Sequence, residues 1–168
     1  LLGACLHEAL TGAPPHSGES LTLLLVAALL SEPKEYGPDV PPELAAVARR
    51  ALQAEPAARF QDVASLRAAL EAHLEREQAA RLAREGLARA ERLAGLVDAP
   101  PGKTAEEVAG RELAIDEAWS EVRFAATQAL AQWPDARDAR AALAAGRAAM
   151  VRHAAATDDA RLARTLLA

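Results

Sequence analysis

From Val63 to Val97 the chain has no proline and no strong stop signal. Asp62 stands just before this stretch, where an N-cap belongs. Within it, Leu66, Leu70 and Leu74 make one apolar stripe, and Leu82, Leu87, Ala90, Leu93 and Val97 make another. Both repeat at helical spacing. A continuous helix here would be about 50 Å long at 1.5 Å per residue. Gly86 and Gly95 are its weak points. The expectation is that one helix ends near Leu74 and leads, with or without a bend, into a second helical unit. That places the domains at 1–74 and 75–168.

Composition agrees with helices throughout. Hydrophobic residues make up 51% of the chain but aromatics only 3%. The excess is alanine and leucine, both strong helix formers, and β-branched residues are scarce. The fold class read from the sequence is therefore all-α. Alanine cores bury little area per residue, so the helices must pack closely. The 19 basic and 24 acidic residues leave a net charge of −5, which argues against a nucleic-acid surface. All the basic residues except Lys34 and Lys103 are arginine, the mark of a coding bias more than of a binding site. Cys5 is the only cysteine, so no disulfide forms within the chain, and a free thiol fits a reducing cytoplasm. The apolar run Leu21–Leu30 is too short to cross a bilayer.

Local signals divide the rest. A first helix runs to about Leu10 and stops at Thr11-Gly12, with Pro14-Pro15 blocking continuation. Ser20 caps a second, Leu21–Leu30, which Pro33 ends. Pro42 sits where a helix-opening proline belongs, and that third helix reaches about Gln53. Glu55-Pro56 is a turn. Asp98–Lys103 is the clearest linker, and Thr104 with Glu107 makes a capping box. The next helix carries Val108, Ile115, Trp119, Val122, Ala126, Ala129 and Trp133 on one face. Pro134-Asp135 ends it. Helices over about Ala136–His153 and Asp158–Leu167 complete the chain.

Three segments then resemble the end of a bacterial serine/threonine protein kinase. Leu2-Gly3-Ala4-Cys5-Leu6-His7-Glu8-Ala9-Leu10-Thr11-Gly12-Ala13-Pro14-Pro15 is similar to the signature of the large helix beneath a kinase active site. Val40-Pro41-Pro42-Glu43-Leu44 opens a helix ending in Arg49-Arg50-Ala51-Leu52. Glu55-Pro56-Ala57-Ala58-Arg59-Phe60 resembles the turn before the last helix of the lobe. The resemblance implies the last four helices of a kinase C-lobe, with Gly3, Glu8, Gly12, Pro15 and Arg59 as its structural motif residues. It also implies a parent that moves the ATP γ-phosphate to Ser or Thr with Mg²⁺. The chain itself carries no Gly-rich phosphate loop, strand lysine, catalytic-loop aspartate or magnesium aspartate. No catalytic, cofactor-binding or metal residue is therefore assigned, and the chain reads as a C-terminal piece of a longer protein.

In kinases the arginine of that turn pairs, buried, with a glutamate that this sequence lacks. A buried guanidinium without a partner costs several kcal/mol, so Arg59 is expected in water or beside Glu55 or Asp62. Glu8 matches a position from which some kinases hold a substrate arginine; on this chain it reads as a solvated acid. Leu2, Leu6 and Leu10 lose the cover that a whole lobe would give them, and form the expected interaction face.

Residues 105–168 read as antiparallel helical hairpins. Gly110, Ala129 and Pro134 fall at the Gly, Ala and closing-Pro spacing of a tetratricopeptide unit, with Ala118, Ala160 and Pro134-Asp135-Ala136 in keeping. The signature Trp and Tyr of that unit's first helix are absent. Such repeats present faces to other proteins.

Other candidates have plainer readings. Pro101-Gly102-Lys103-Thr104 lacks the earlier glycine and the preceding strand of a phosphate loop, and reads as linker plus cap. Trp119 and Trp133 read as core. His7 and His16 lack zinc-ligand company, and His73 and His153 read as surface residues. Glu77–Arg81 and Glu85–Arg89 read as a solvated helix face. The functional expectation is a non-catalytic kinase C-terminal region acting through a protein partner or self-association, with no nucleic acid and no membrane. The alternative is a stand-alone kinase-derived helical scaffold.

Overall fold

Alanine and leucine act as their helix propensities dictate. The computed structural model describes residues 1–32 and 35–167, and among these the chain forms seven α-helices and no strand. They are α1 (Leu2–Thr11), α2 (Leu21–Leu30), α3 (Pro42–Ala51), α4 (Val63–Asp98), α5 (Ala105–Gln132), α6 (Arg137–Ala156) and α7 (Ala160–Leu167). A single 3₁₀ turn, Pro56–Ala58, precedes α4. Contacts divide the chain into two compact units, Leu1–Leu74 and Glu75–Ala168.

The ends of the helices follow local chemistry. Gly12 closes α1 in the left-handed region at φ 73°, donating its N–H to the Glu8 carbonyl. Ser20 caps α2 by accepting from the Leu23 N–H at 3.3 Å. Ser31, also left-handed, ends α2 and donates its hydroxyl to the Leu52 carbonyl at 2.7 Å. That bond ties the end of α2 to the end of α3. Pro33, read as the stop of α2, lies outside the described residues. The Ser65 N–H donates to the Asp62 carboxylate at 2.6 Å, and this bond holds the carboxyl below its ordinary pKa. The Thr104–Glu107 capping box is complete in both directions.

In the first unit α1 lies on α3. A Cβ on Gly3 would stand 2.7 Å from the Ala51 Cβ, so this approach needs glycine. Ala45, Ala48 and Leu66 are buried with it, and so are His7 and His73.

In the second unit α4, α5 and α6 pack side by side, each antiparallel to the next. Leu93 shares a core with Ile115, Ala118 and Val122, while Gly86 faces Ala125 and Ala142. Ala149 and Met150 join the first of these clusters; Ala83, Ala126, Ala129, Ala136, Ala139 and Ala142 form the second. Arg111 on α5 donates to the Leu96 and Val97 carbonyls, at 3.0 and 2.7 Å, capping the end of α4. Arg152 on α6 meets Asp98 through two bonds of 3.2 Å.

Several expectations change here. The helix expected to end near Leu74 does not: α4 is one helix of 36 residues. Nothing in that stretch breaks the backbone ladder, and α4 runs unbroken through Gly86 and Gly95. Leu74 is 64% exposed; His73 takes the buried position one heptad after Leu66. Further along, Ala79, Ala83, Gly86, Ala90 and Leu93 form the buried line, with Leu82 and Leu87 flanking it. Small residues occupy the line of closest approach because they let the backbones near each other. On α5, Val108 falls outside the buried face at 41% exposure, and Ala118 and Ala125 lie within it. Trp119 is partly buried and packs against the cluster that holds Leu93 and Val122. Its ring lies over Gly146 of α6, where a Cβ would stand 2.6 Å from Cζ3.

Candidate functional site

Helix α2 is built from Leu21, Thr22, three further leucines, Val26, two alanines and two more leucines. It has no polar face, and no residue of it is buried. Leu29 is 80% exposed and Leu21 71%. Leu23, Leu24, Leu25, Val26 and Leu30 are exposed as well. Scattered exposed leucines are ordinary, but a contiguous apolar surface of this kind marks an interaction site.

The segment before α2 folds against its first turn. A Cβ on Gly18 would stand 2.6 Å from the Leu24 N, so only glycine allows the approach. Between this segment and the helix runs a groove of about 380 Å³. Leu23, Val26, Ala27 and Leu30 line it, and Glu19 and Glu32 border it from beyond the two ends of the helix.

The residues expected from the sequence lie elsewhere in the first unit. Gly3 makes the contact with Ala51, Gly12 is the helix cap, and Pro15 is buried. Glu8 and Cys5 are exposed. Arg59 is exposed and donates to the Gln53 and Ala54 carbonyls, at 2.6 and 3.0 Å. Its expected acids are engaged locally: Glu55 accepts from the Ala57 N–H and Asp62 from the Ser65 N–H. Leu2 is exposed, while Leu6 and Leu10 are half-buried. The larger apolar surface is therefore on α2 and not on the expected face of α1.

The sequence reading also missed the buried histidines. His73 Nδ1 meets the Glu43 carboxylate at 2.9 Å, and His153 Nε2 meets Glu112 at 2.8 Å. Both were expected at the surface, yet both are at least nine-tenths buried. Helical register was the available signal: His73 is seven residues after Leu66, and His153 lies four after Ala149 on the core face of α6. His7 Nδ1 lies 2.9 Å from the Tyr36 hydroxyl, and the rings meet edge to face. Burial raises the pKa of that hydroxyl, and Arg49, stacked over the ring, opposes the shift.

Both tryptophans are partly buried, and each edges a cavity. Trp119 lines a hollow of about 500 Å³ with Arg123, Arg147 and Leu162. Trp133 borders one of about 610 Å³ with Asp135 and Arg140. Glu85 and Arg89 do form their helical pair at 3.8 Å, and Arg89 also reaches Glu121 at 4.0 Å.

Among the described residues no three His, Cys, Asp or Glu side chains gather in a way that could hold a metal ion. No helix among them is long and apolar enough to cross a membrane. Comparison with protein-family models, with curated proteins and with solved structures returned no match.

Proposed function

We propose that this chain is a protein-interaction region, the C-terminal part of a serine/threonine-kinase-like protein, with its first unit a partial C-lobe and its second a tetratricopeptide-like helical array. One observation carries the interaction reading: α2 presents seven exposed large apolar side chains and buries none. Solvating such a surface is unfavourable by about 25 cal/mol per Å², and a partner that covers it recovers that energy. The kinase reading is supported by the structural use of its motif residues, namely the tight Gly3–Ala51 approach, the Gly12 cap and the buried Pro15. By this reading ATP and Mg²⁺ belong to the parent and the chain works by docking, in the cytoplasm.

Two experiments test it. Leu25→Glu and Leu29→Glu alter only exposed positions, so the melting curve should hold while partner binding is lost. Unchanged partner binding would move the site off α2. The coding sequence upstream of Leu1 tests the origin: catalytic-loop, magnesium-binding and A-P-E motifs there support the kinase, and a start codon near Leu1 opposes it.

A further inference from the structure

Resting on the reading of α2 as a docking surface, we propose that its groove takes an apolar helical segment of another protein that carries arginine or lysine at both ends. The floor is Leu23, Val26, Ala27 and Leu30, and it offers no charge. A charged group laid on it would be desolvated without compensation, so the centre of the occupant must be apolar. The rims are different. Glu19 borders the groove just before α2 and Glu32 just after it, and both are exposed. Among the described residues neither makes an ion pair. Two carboxylates separated by a ten-residue apolar helix fix the charge pattern that fits: positive, apolar, positive.

The two rims are not equal. Glu19 lies at the N-terminal end of α2, where the helix dipole already favours negative charge. Glu32 lies at the C-terminal end, where carboxylate and helix dipole carry the same sign. A cation there relieves both, so the Glu32 end should contribute more to binding. The same pattern disfavours a second copy of this chain. Pairing α2 with α2 in either direction sets glutamates against glutamates, in a protein whose net charge is already −5.

The test uses the whole chain and two labelled helical peptides with the same leucine–alanine centre, one ended by paired arginines and one by paired glutamates. Fluorescence anisotropy should show the arginine-ended peptide binding at least about tenfold more tightly, a preference that shrinks as salt is raised. Glu32→Gln should weaken it more than Glu19→Gln. Val26→Asp should abolish binding, with circular dichroism unchanged. Equal binding of both peptides, unmoved by Glu19→Gln and Glu32→Gln but lost in Val26→Asp, overturns the charge pattern and leaves the docking surface standing. A dimer in sedimentation that Val26→Asp dissolves overturns the proposal in favour of a second copy. No binding of either peptide, and no partner lost in Leu25→Glu or Leu29→Glu, overturns both the proposal and the reading beneath it.

Discussion

Gly146 of α6 faces the indole of Trp119 so closely that a Cβ built on it would stand 2.6 Å from Cζ3 and 3.0 Å from Cγ1 of Val122. The ring is rigid and held from one side by Arg123, whose guanidinium lies 5.4 Å from its centre. Gly146→Ala is therefore expected to destabilise the protein by about 1–3 kcal/mol, the usual cost of overpacking. In a Trp119→Ala background the clash with the ring is gone, so the added methyl should cost less than half as much. Urea melts of the four proteins in this cycle check the coupling. Equal costs in both backgrounds would show that Gly146 answers to Val122 or to its own helix instead.

Gly95 and Gly110 sit inside α4 and α5, and a Cβ at either would meet nothing within 4 Å. Each leaves the helix with a flexible position and no packing reason for it. Gly95→Ala and Gly110→Ala should each stabilise by about 0.5–1 kcal/mol, read as a rise in the thermal midpoint. Gly86 differs, because its Cβ would touch Ala125 and Ala142 at 3.5 Å. Its alanine variant should gain less.

His153 is buried, and its Nε2 bonds Glu112 at 2.8 Å while the carboxylate reaches solvent. Glu112→Ala leaves a buried ring nitrogen without this partner, which should cost about 1–3 kcal/mol. Replacing His153 by leucine in the same background removes the polar group as well and should restore part of the loss. Chemical denaturation of both variants decides it. A second substitution that only adds to the damage would mean that the shape of the imidazole, rather than its bond, matters.

Asp62 begins α4 with a carboxylate that accepts from the Ser65 N–H, and that bond, with the Ser65 side chain, holds its pKa down. A depressed carboxylate stabilises the fold at pH above its unfolded value, near about 3.9. That contribution is lost as the pH falls through the lowered folded value. Wild type should therefore lose stability on acidification more steeply than Asp62→Ala, the two curves converging at the acid end. Parallel curves would show that the capping bond does not persist in solution.

The helices were largely legible because their signals are local. Ser20, Asp62, Thr104 with Glu107, and Gly12 each act through a bond to a backbone group within about one turn. Their consequences do not depend on what packs nearby. The core of the second unit was legible in part. Ile115, Val122, Ala126 and Ala129 follow the helical period and are buried as that period requires. Val108 keeps the period but lies in the first turn of α5, beyond the neighbours that bury the rest.

By itself, then, the sequence determined an all-helical chain, most of the places where its helices begin and end, and much of the apolar face of α5. Hydrogen bonding within a turn and the steric preferences of single residues suffice for that. Only the tertiary structure decided that α4 continues past Leu74, that Trp119 lies over Gly146, and that His73 and His153 are buried against carboxylates. It also decided that the most apolar helix in the chain, α2, stays on the outside. Each of these depends on which surface comes within contact distance of another. Burial is a property of pairs of surfaces, and the pattern along one helix cannot say which of its apolar residues will find a partner.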